Sequence, residues 1–414
     1  MSLPQATVGR ADRAPVLVFG DDSSAFLGAV RSLGRQGLEV HGAGSNMSLP
    51  AYASLYLADH HVIPPYRGDG AEWLATVRSL IRQHGFALLV PTSDASLVQL
   101  SSHAEDLLPA RCAVPSAESL GLFTDKWNTR KAAQALDIPV ADGMLINDDC
   151  DVDAVTKALG LPLILKQRRS YSRGQSVQKS AVAIVSSPEE LARRMDGSPS
   201  MIAEAFIPGF CRGVSVLAYQ GEILQAFQHC RLRQEHATGP SSWRVSEPLD
   251  PRMLEAARKL IAHADYTGIA MFEFRCHKQH GDFALLEVNA RIWGSIHLAM
   301  GAGADYVAAL HDLLLEGRMP VSRRDFAVGG QKMSLRGEWD GLAYAWEETI
   351  GLKARLALLP RLASLLSSLT SGAGFDSFVS DDPEPFLRER RMVLLRLRDK
   401  IWKSVPLSRS EARA

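Results

Sequence analysis

Short apolar runs alternate with amphipathic stretches over the first part of the chain. Residues 14–20 and 38–42 are apolar runs typical of buried strands, and residues 24–36 between them have the periodicity of a helix. Farther along, residues 73–84 predict a helix and residues 87–90 predict a strand. This alternation predicts a doubly wound domain with a parallel sheet at the start of the chain.

Two loops of this domain bear on ligand binding. The loop at residues 20–24 lacks the G-x-G-x-x-G pattern, and its two acidic residues would oppose a pyrophosphate. A dinucleotide site is therefore excluded there. Residues 91–94 follow a strand at the sheet edge where ligands usually bind, and we interpret Asp94 as a turn residue.

The middle of the chain places two lysines at the boundaries of predicted elements. Residues 123–136 predict a helix capped by Thr124 or Asp125, with Lys126 in its first turn. Residues 161–167 form an apolar strand in which Lys166 stands near the end, so its ammonium should reach the exposed edge of a cleft. The polar residues 170–180 that follow predict a loop whose amides could fold over phosphates.

A pair of strands farther along carries the densest cluster of polar side chains. Glu273 interrupts an apolar strand, and Glu287, Asn289 and Arg291 occupy alternate positions of the next one. Alternate side chains of a strand share one face, so these three should point together. Carboxylate and amide oxygens suit Mg²⁺, and an adjacent arginine can stabilise a transferring phosphoryl group.

A basic strand precedes this pair. Residues 213–228 alternate as a hairpin and lead into His229, Arg231 and Arg233, which occupy alternate positions. Facing a metal-phosphate cleft, these groups would suit an anionic substrate such as a carboxylate. A solvated strand face explains the same pattern, and both interpretations stay open.

The C-terminal part is helical and basic. Residues 352–369 and 386–402 form amphipathic patterns rich in leucine, arginine and lysine. We interpret them as a packed helical extension, with a protein-partner surface or a peripheral membrane contact as the alternative.

Composition limits the class of protein. A chain of 414 residues is long enough for several domains, and 46% apolar with 22% charged residues is ordinary for a globular protein. A formal net charge of zero gives no electrostatic reason to expect nucleic-acid binding. Scattered cysteines, a polar N-terminus and the lack of a long apolar run favour a cytoplasmic protein without disulfides, signal peptide or membrane span.

The segment at residues 268–295, GIAMFEFRCHKQHGDFALLEVNARIWGS, resembles the metal-binding hairpin of the ATP-grasp superfamily. The resemblance covers roughly residues 123–317 and is nearest to carboxylate–amine ligase-like members, with a nucleotide site of the carbamoyl-phosphate synthetase or D-alanine–D-alanine ligase type. It implies that Glu273, Glu287 and Asn289 hold two Mg²⁺ ions, with Mn²⁺ as an alternative. Arg291 would then act on the transferred phosphate.

The same resemblance implies an ATP site. Its residues would be Lys126, Lys166, Gly174, Glu204, Phe206 and Ile207. The lysines would bind phosphates, with Lys166 also catalytic, and Glu204 and the backbone of Phe206 and Ile207 would bind adenine. The chain departs from the family at residues 210–213, where many members carry an acidic residue for the ribose. His229, Arg231, Arg233 and Ser295 would contact the substrate.

These patterns together predict an α/β protein with four parts. Residues 1–118 would form the doubly wound domain, 119–200 the ATP-grasp lid, 201–325 the antiparallel catalytic base and 326–414 a helical extension. The expected activity is ATP-dependent formation of an amide from a small-molecule carboxylate and an amine, through an acyl-phosphate. The alternatives are a phosphotransferase, a carboxylase or a non-catalytic nucleotide-binding scaffold. An oligomer is expected.

Overall fold

The computed structural model describes residues 13–20, 24–147, 150–169, 171, 182–195, 200–278, 281–320, 325–372 and 374–404. Within these ranges the chain begins with a parallel sheet, here called the N-terminal sheet, of order β3-β2-β1-β4-β5. Its strands are β1 Val16–Phe19, β2 Val40–Gly44, β3 Asp59–Val62, β4 Leu88–Pro91 and β5 Arg111–Cys112. The predicted doubly wound parallel sheet is confirmed.

Helices cover both faces of the N-terminal sheet and lead out of it. They are α1 Ser24–Arg35, α2 Ala71–His84, α3 Asp94–Ser102, α4 Ala117–Thr124 and α5 Lys126–Ala135. One face packs on α1 and the other on Trp73, Val77 and Ile81 of α2. Helix α5 begins at Lys126 because the Asp125 side chain accepts hydrogen bonds from the first-turn amides.

A small antiparallel sheet follows, with order β6-β9-β7-β8. Its strands are β6 Gly143–Ile146, β7 Leu163–Gln167, β8 Val182–Val185 and β9 Met201–Ala205, and its helices are α6 Val152–Leu159 and α7 Pro188–Met195. Buried leucines and valines from the strands and both helices form its separate core. Strand β9 pairs with β6 and β7, so this sheet extends past the expected division between residues 200 and 201.

The large antiparallel sheet has the order β14-β13-β10-β11-β12-β15. Its strands are β10 Gly209–Tyr219, β11 Glu222–Gln234, β12 Ser241–Glu247, β13 Gly268–His277, β14 Phe283–Asn289 and β15 Gln331–Met333. The helices beside it are α8 Pro251–His263, α9 Ile296–Gly301 and α10 Tyr306–Glu316. One apolar core joins α8 to this sheet, and another joins α1 of the N-terminal domain to Trp293, Ile296 and Tyr306.

The C-terminal helices are α11 Leu335–Glu348, α12 Leu352–Leu356, α13 Leu359–Ser371 and α14 Glu384–Ser404. Trp339, Leu365, Phe375 and Phe386 are among the buried residues of their common core. The predicted helical extension is therefore confirmed. Among the described residues, no helix combines the length and apolar character needed to cross a membrane.

A buried arginine attaches this extension to the start of the chain. Arg31 of α1 is fully buried and donates hydrogen bonds to the Asp382 carboxylate at 2.8 Å and to the carbonyls of Asp376 and Ser377 at 3.0 and 2.7 Å. The same carboxylate accepts hydrogen bonds from Ser54 Oγ and the Leu55 amide, both at 2.8 Å. We call this cluster the Arg31–Asp382 clamp.

We expect Asp382→Ala to lower the free energy of unfolding by about 3–5 kcal/mol, because it leaves the Arg31 guanidinium buried without its counter-charge. Urea unfolding of the full chain provides the measurement. Asp381→Ala is the matched control, since its pair with Arg35 is exposed and should be worth at most about 1 kcal/mol. Equal losses from the two neighbouring aspartates would contradict a stabilising role for the clamp.

Candidate active site

A cavity of about 420 Å³ lies between the small sheet and the large sheet. Its charged lining comes from the N-terminal domain, α5 and both antiparallel sheets. The charged side chains that line it are Asp94, Lys126, Lys166, Glu204, Arg231, Arg244, Glu273, Arg275, Glu287 and Arg291. The structure thus brings together residues separated by nearly two hundred positions in sequence.

Glu273 and Glu287 face the cavity from directly opposite positions of β13 and β14. Next to this pair the register shifts, so that Phe274 pairs with Leu285 and Leu286 stands outside the regular pairing. Leu286 instead accepts a hydrogen bond on its carbonyl from Lys166 Nζ at 3.1 Å. The bulge therefore sets both carboxylates side by side and links the large sheet to the small sheet.

Cations from three elements compensate this carboxylate pair. Lys126 Nζ lies 3.6 Å from Glu287 Oε2, and Arg231 of β11 forms an ion pair with Glu273. Burial raises the pKa of Glu287, but Lys126, Lys166 and Arg231 outweigh it, so the pKa lies below its ordinary value. At Glu273 burial dominates over the attraction of Arg231, and the neighbouring Glu287 charge adds to it, so the pKa of Glu273 is raised.

Lys166 is part of a buried ion cluster with Glu204. Its Nζ lies 2.8 Å from Glu204 Oε2, and Arg130 Nη1 lies 3.3 Å from Glu204 Oε1. Lys166 lines the cavity from within β7 but is only 5% exposed, so the expectation that its ammonium is exposed is wrong. The cause is the position of the strand in the small sheet, where β9 brings the Glu204 carboxylate alongside.

Arg291 is held by Asp94, which begins α3 and does more than the turn role expected from the sequence. Its Nε and Nη2 donate to Asp94 Oδ1 and Oδ2 at 2.8 and 3.0 Å, and Nη2 also donates to Asn289 Oδ1 at 3.3 Å. Asn289 Nδ2 in turn donates to Glu273 Oε1 at 3.4 Å. Burial raises the pKa of Asp94, but Arg291 outweighs it, so that pKa is lowered.

His229 and Arg231 line the cavity, as the alternation predicts. His229 lies across Gly213, where an added Cβ would come 2.4 Å from its Cε1. Burial, then Arg231 and Arg244, lower the pKa of His229 to about 3, so the ring is neutral at pH 7. Within the described residues its Nδ1 has no hydrogen-bond partner.

Arg233 departs from the predicted common face. It forms an ion pair with Glu338 of α11 and lies over the Trp243 ring at 4.9 Å. The pairing of β11 with β12 shifts register between Arg231 and Arg233, which breaks the alternation. The placement of Arg233 in the cleft is therefore corrected.

The remaining predicted residues are placed as follows. Phe206, Ile207 and Ser295 line the cavity, and the Ile207 carbonyl accepts a hydrogen bond from Arg275 Nε at 2.9 Å. Gly174 lies outside the described residues.

Two arginines at or beside the cavity were not predictable from the sequence, because their importance depends on a distant partner. Arg244 of β12 stands opposite Arg231 and forms an ion pair with Asp376 of the C-terminal extension. Arg130 pairs with Glu204 from the second turn of α5. The one available signal for Arg244 was an isolated cation in an alternating strand, which is equally typical of a solvated face.

The region around this cavity is similar to known proteins. Residues 197–332 match the family model described as "ATP-grasp in the biosynthetic pathway with Ter operon". The chain is 29% identical over 188 residues to N5-carboxyaminoimidazole ribonucleotide synthase of Pseudomonas aeruginosa, covering 44% of this chain and 50% of that protein. It is 30% identical over 202 residues to D-alanine–D-alanine ligase of Chromohalobacter salexigens, covering 48% and 53%. The chain thus spans about half the length of these relatives.

Solved structures share the fold over a longer stretch. The biotin carboxylase domain of the Hydrogenobacter thermophilus 2-oxoglutarate carboxylase superposes with a TM-score of 0.60 at 15% identity, over 76% of this chain and 73% of that one. L-amino acid ligase from Bacillus licheniformis superposes with a TM-score of 0.57 at 18% identity, over 74% and 75%.

We expect Lys166→Met to lower the free energy of unfolding by roughly 3 kcal/mol. This value is at the low end of the loss expected when a buried ion pair is broken, because Arg130 still compensates the charge of Glu204. Adding Glu204→Gln should cost less than the sum of the single changes, with a coupling of about 0.5–3 kcal/mol. Urea unfolding measures each step. Lys157→Met, an exposed lysine of α6, is the control. Strict additivity would show that Lys166 and Glu204 do not depend on each other.

Proposed function

From the ATP-grasp region that this chain carries, we propose that the protein is an ATP-dependent ligase that activates a carboxylate as an acyl-phosphate and joins it to an amine. One observation carries the proposal. Glu273 and Glu287 stand side by side at the cavity, with cations from α5, β7 and β11 around them. Two adjacent carboxylates, one buried and one partly buried, are costly without cationic partners, which suits a site for metal-bound phosphates.

The donor atoms at this position fit Mg²⁺. Two carboxylates and the Asn289 amide oxygen are hard-oxygen ligands of the kind that Mg²⁺ takes together with substrate phosphates. Glu273 and Glu287 would hold the ion or ions, with Asn289 beside them, and bound Mg²⁺ would offset the negative charge of the phosphates. Arg231, which pairs with Glu273 here, and Arg291, which contacts Asn289, carry positive charge at the same positions.

Nucleotide binding draws on the small sheet. Lys126 and Lys166 present ammonium groups at the cavity, and both lie close enough to Glu287 to lower its pKa. They suit the phosphates of ATP. Phe206, Ile207 and Glu204 line the adjoining wall, where an adenine ring could pack on apolar side chains and bind backbone groups.

The chemical sequence follows from the weakness of carboxylates as acylating agents. A carboxylate oxygen attacks the γ-phosphorus of ATP, the bond to the bridging oxygen breaks, and ADP leaves. The amine then attacks the acyl carbon, loses a proton and expels phosphate, which leaves an amide. Arg291, held in place by Asp94, would stabilise the charge on the transferred phosphoryl group.

The end of the cavity near β11 and β12 suits the acid. Arg231 and Arg244 are cationic and occupy opposite positions on the two strands, while the neutral His229 offers an unpartnered ring nitrogen. An anionic group could bind both arginines and the imidazole. The carboxylates that it would face are already neutralised by ion pairs. This arrangement favours a carboxylate substrate over an uncharged one.

A second candidate is carboxylation of an amine, with bicarbonate as the activated acid. It is favoured by the similarity to N5-carboxyaminoimidazole ribonucleotide synthase and by the biotin carboxylase domain, whose structure contains MgADP and bicarbonate. The activation step is chemically the same, and bicarbonate is small enough for the Arg231 end of the cavity. Bicarbonate dependence of ADP release separates the two candidates.

We expect Glu287→Gln to abolish Mg²⁺-dependent ATP turnover while the protein stays folded. The amide keeps the shape of the side chain but removes the charge that faces the metal-phosphate site, at a cost on the order of several kcal/mol in the transition state. ADP release across a panel of acids and amines is the readout, with circular dichroism to confirm folding. Glu222→Gln, exposed on β11, is the control. Normal turnover by Glu287→Gln would remove the basis of the proposal.

Hydroxylamine should intercept an acyl-phosphate as a hydroxamate that requires ATP, Mg²⁺ and the correct acid. Arg231→Ala should raise the KM for that acid by roughly 10- to 150-fold, the equivalent of about 1.5–3 kcal/mol for one charge-assisted contact. The KM for ATP should change much less.

Arg233→Lys is the control for this experiment, because it lies on the same strand and keeps its charge beside Glu338 outside the cavity. If no acid in a broad panel gives a hydroxamate and ADP release requires bicarbonate, carboxylation replaces amide formation. If Arg231→Ala leaves the KM for the acid unchanged, the polar face of β11 has no role in binding the substrate.

A further inference from the structure

A cluster of imidazoles lies in the N-terminal domain, apart from the central cavity. His41 of β2, His61 of β3 and His84 at the end of α2 each bring a ring nitrogen to within 4.8 Å of the others. The ring centroids are 4.8–5.1 Å apart. None of these histidines lines the cavity described above. We call this group the histidine cluster.

The fold accounts for the convergence. Strands β2 and β3 are parallel, with His41 opposite Asp59 and Ala43 opposite His61, so the two histidines project from the same face of the sheet. Helix α2 ends at His84 because Gly85 takes a left-handed conformation, with φ of 68°. The chain then returns to the sheet through the buried Phe86, whose ring stacks on His84 and packs edge-on against His41.

The nitrogen positions suit a transition-metal ion. His41 Nδ1 lies 2.9 Å from His61 Nε2. Two imidazole ligands of a tetrahedral Zn²⁺, each with a Zn–N bond of about 2.0–2.1 Å, stand about 3.3 Å apart. A small separation of the rings would therefore convert the hydrogen-bonded pair into two ligands. His84, from a different element, would supply the third.

A carboxylate fixes the orientation of the central ring. Glu39 Oε1 lies 2.9 Å from Nε2 of His41. This contact holds the NH of His41 on Nε2 and turns the lone pair of Nδ1 toward the other two histidines. A carboxylate behind a histidine is the usual arrangement around protein metal sites, because it fixes the tautomer and raises the basicity of the ligand nitrogen.

We propose that His41, His61 and His84 bind a divalent transition-metal ion of the Zn²⁺ class, with Glu39 positioning His41. Imidazole ligands favour Zn²⁺ and its late first-row neighbours over Mg²⁺. His61 and His84 are only half-buried, so water can complete the coordination. The ion joins the edge strand β3 to β2 and to the end of α2, and so stabilises the N-terminal domain. This site does not depend on the proposed ligase activity.

The test uses the full chain without a polyhistidine tag, stripped of metal with a chelator. Zn²⁺ affinity is measured by competition with a chromophoric chelator, and Co²⁺ absorption reports the ligand geometry. We expect tight binding by the unmodified protein and loss of that site in His61→Ala. Glu39→Gln should weaken binding by about 10- to 100-fold, as expected for a group that orients a ligand.

His60→Ala is the matched control, because His60 is exposed on the same strand and points to the opposite face. It should bind Zn²⁺ as the unmodified protein does. If His61→Ala fails to fold, His84→Gln provides the same comparison. Equal affinities of the unmodified protein and the folded cluster variant would overturn the proposal, as would an equal loss in His60→Ala. We also expect Zn²⁺ to raise the Tm of the unmodified protein but not that of the cluster variant.

Discussion

The opposition of Glu273 and Glu287 on neighbouring strands is the constraint around which the cavity is organised. Two adjacent like charges repel each other and lose hydration where Glu273 is buried and Glu287 partly buried, so the arrangement requires compensation by cations. Lys126 and Lys166 come from α5 and the small sheet, and Arg231 comes from the large sheet. The electrostatics of one carboxylate pair therefore fix the approach of the small sheet to the large one.

The sequence allowed the parallel N-terminal sheet, the hairpin that carries the carboxylates and the helical extension to be predicted. Each of these predictions rests on a repeating pattern of side chains within a short segment, such as the alternation of Glu287, Asn289 and Arg291. The partners of these side chains were not predictable. Asp94 binds Arg291 across nearly two hundred residues, and Arg233 leaves the cavity because of a register shift. Neither the pairing of distant strands nor a β-bulge produces a repeating pattern of residues in the sequence.

The C-terminal extension reaches the cavity through Arg244, whose guanidinium forms an ion pair with Asp376. The backbone carbonyl of Asp376 also accepts a hydrogen bond from Arg31. One short segment therefore contacts both an arginine of the cavity wall and the buried arginine of α1. In this arrangement the extension helps to shape the end of the cavity at Arg244, because the position of Arg244 depends on a carboxylate that the large sheet does not supply.

The Arg31–Asp382 clamp also constrains the order in which the chain can fold during its synthesis. Helix α1 emerges from the ribosome before the aspartate that neutralises its buried arginine, which follows about 350 residues later. Until then the guanidinium must stay hydrated, so the surface of α1 that the clamp covers cannot be buried. The N-terminal sheet and its helices thus reach their final packing only after the segment that carries Asp382 has been made.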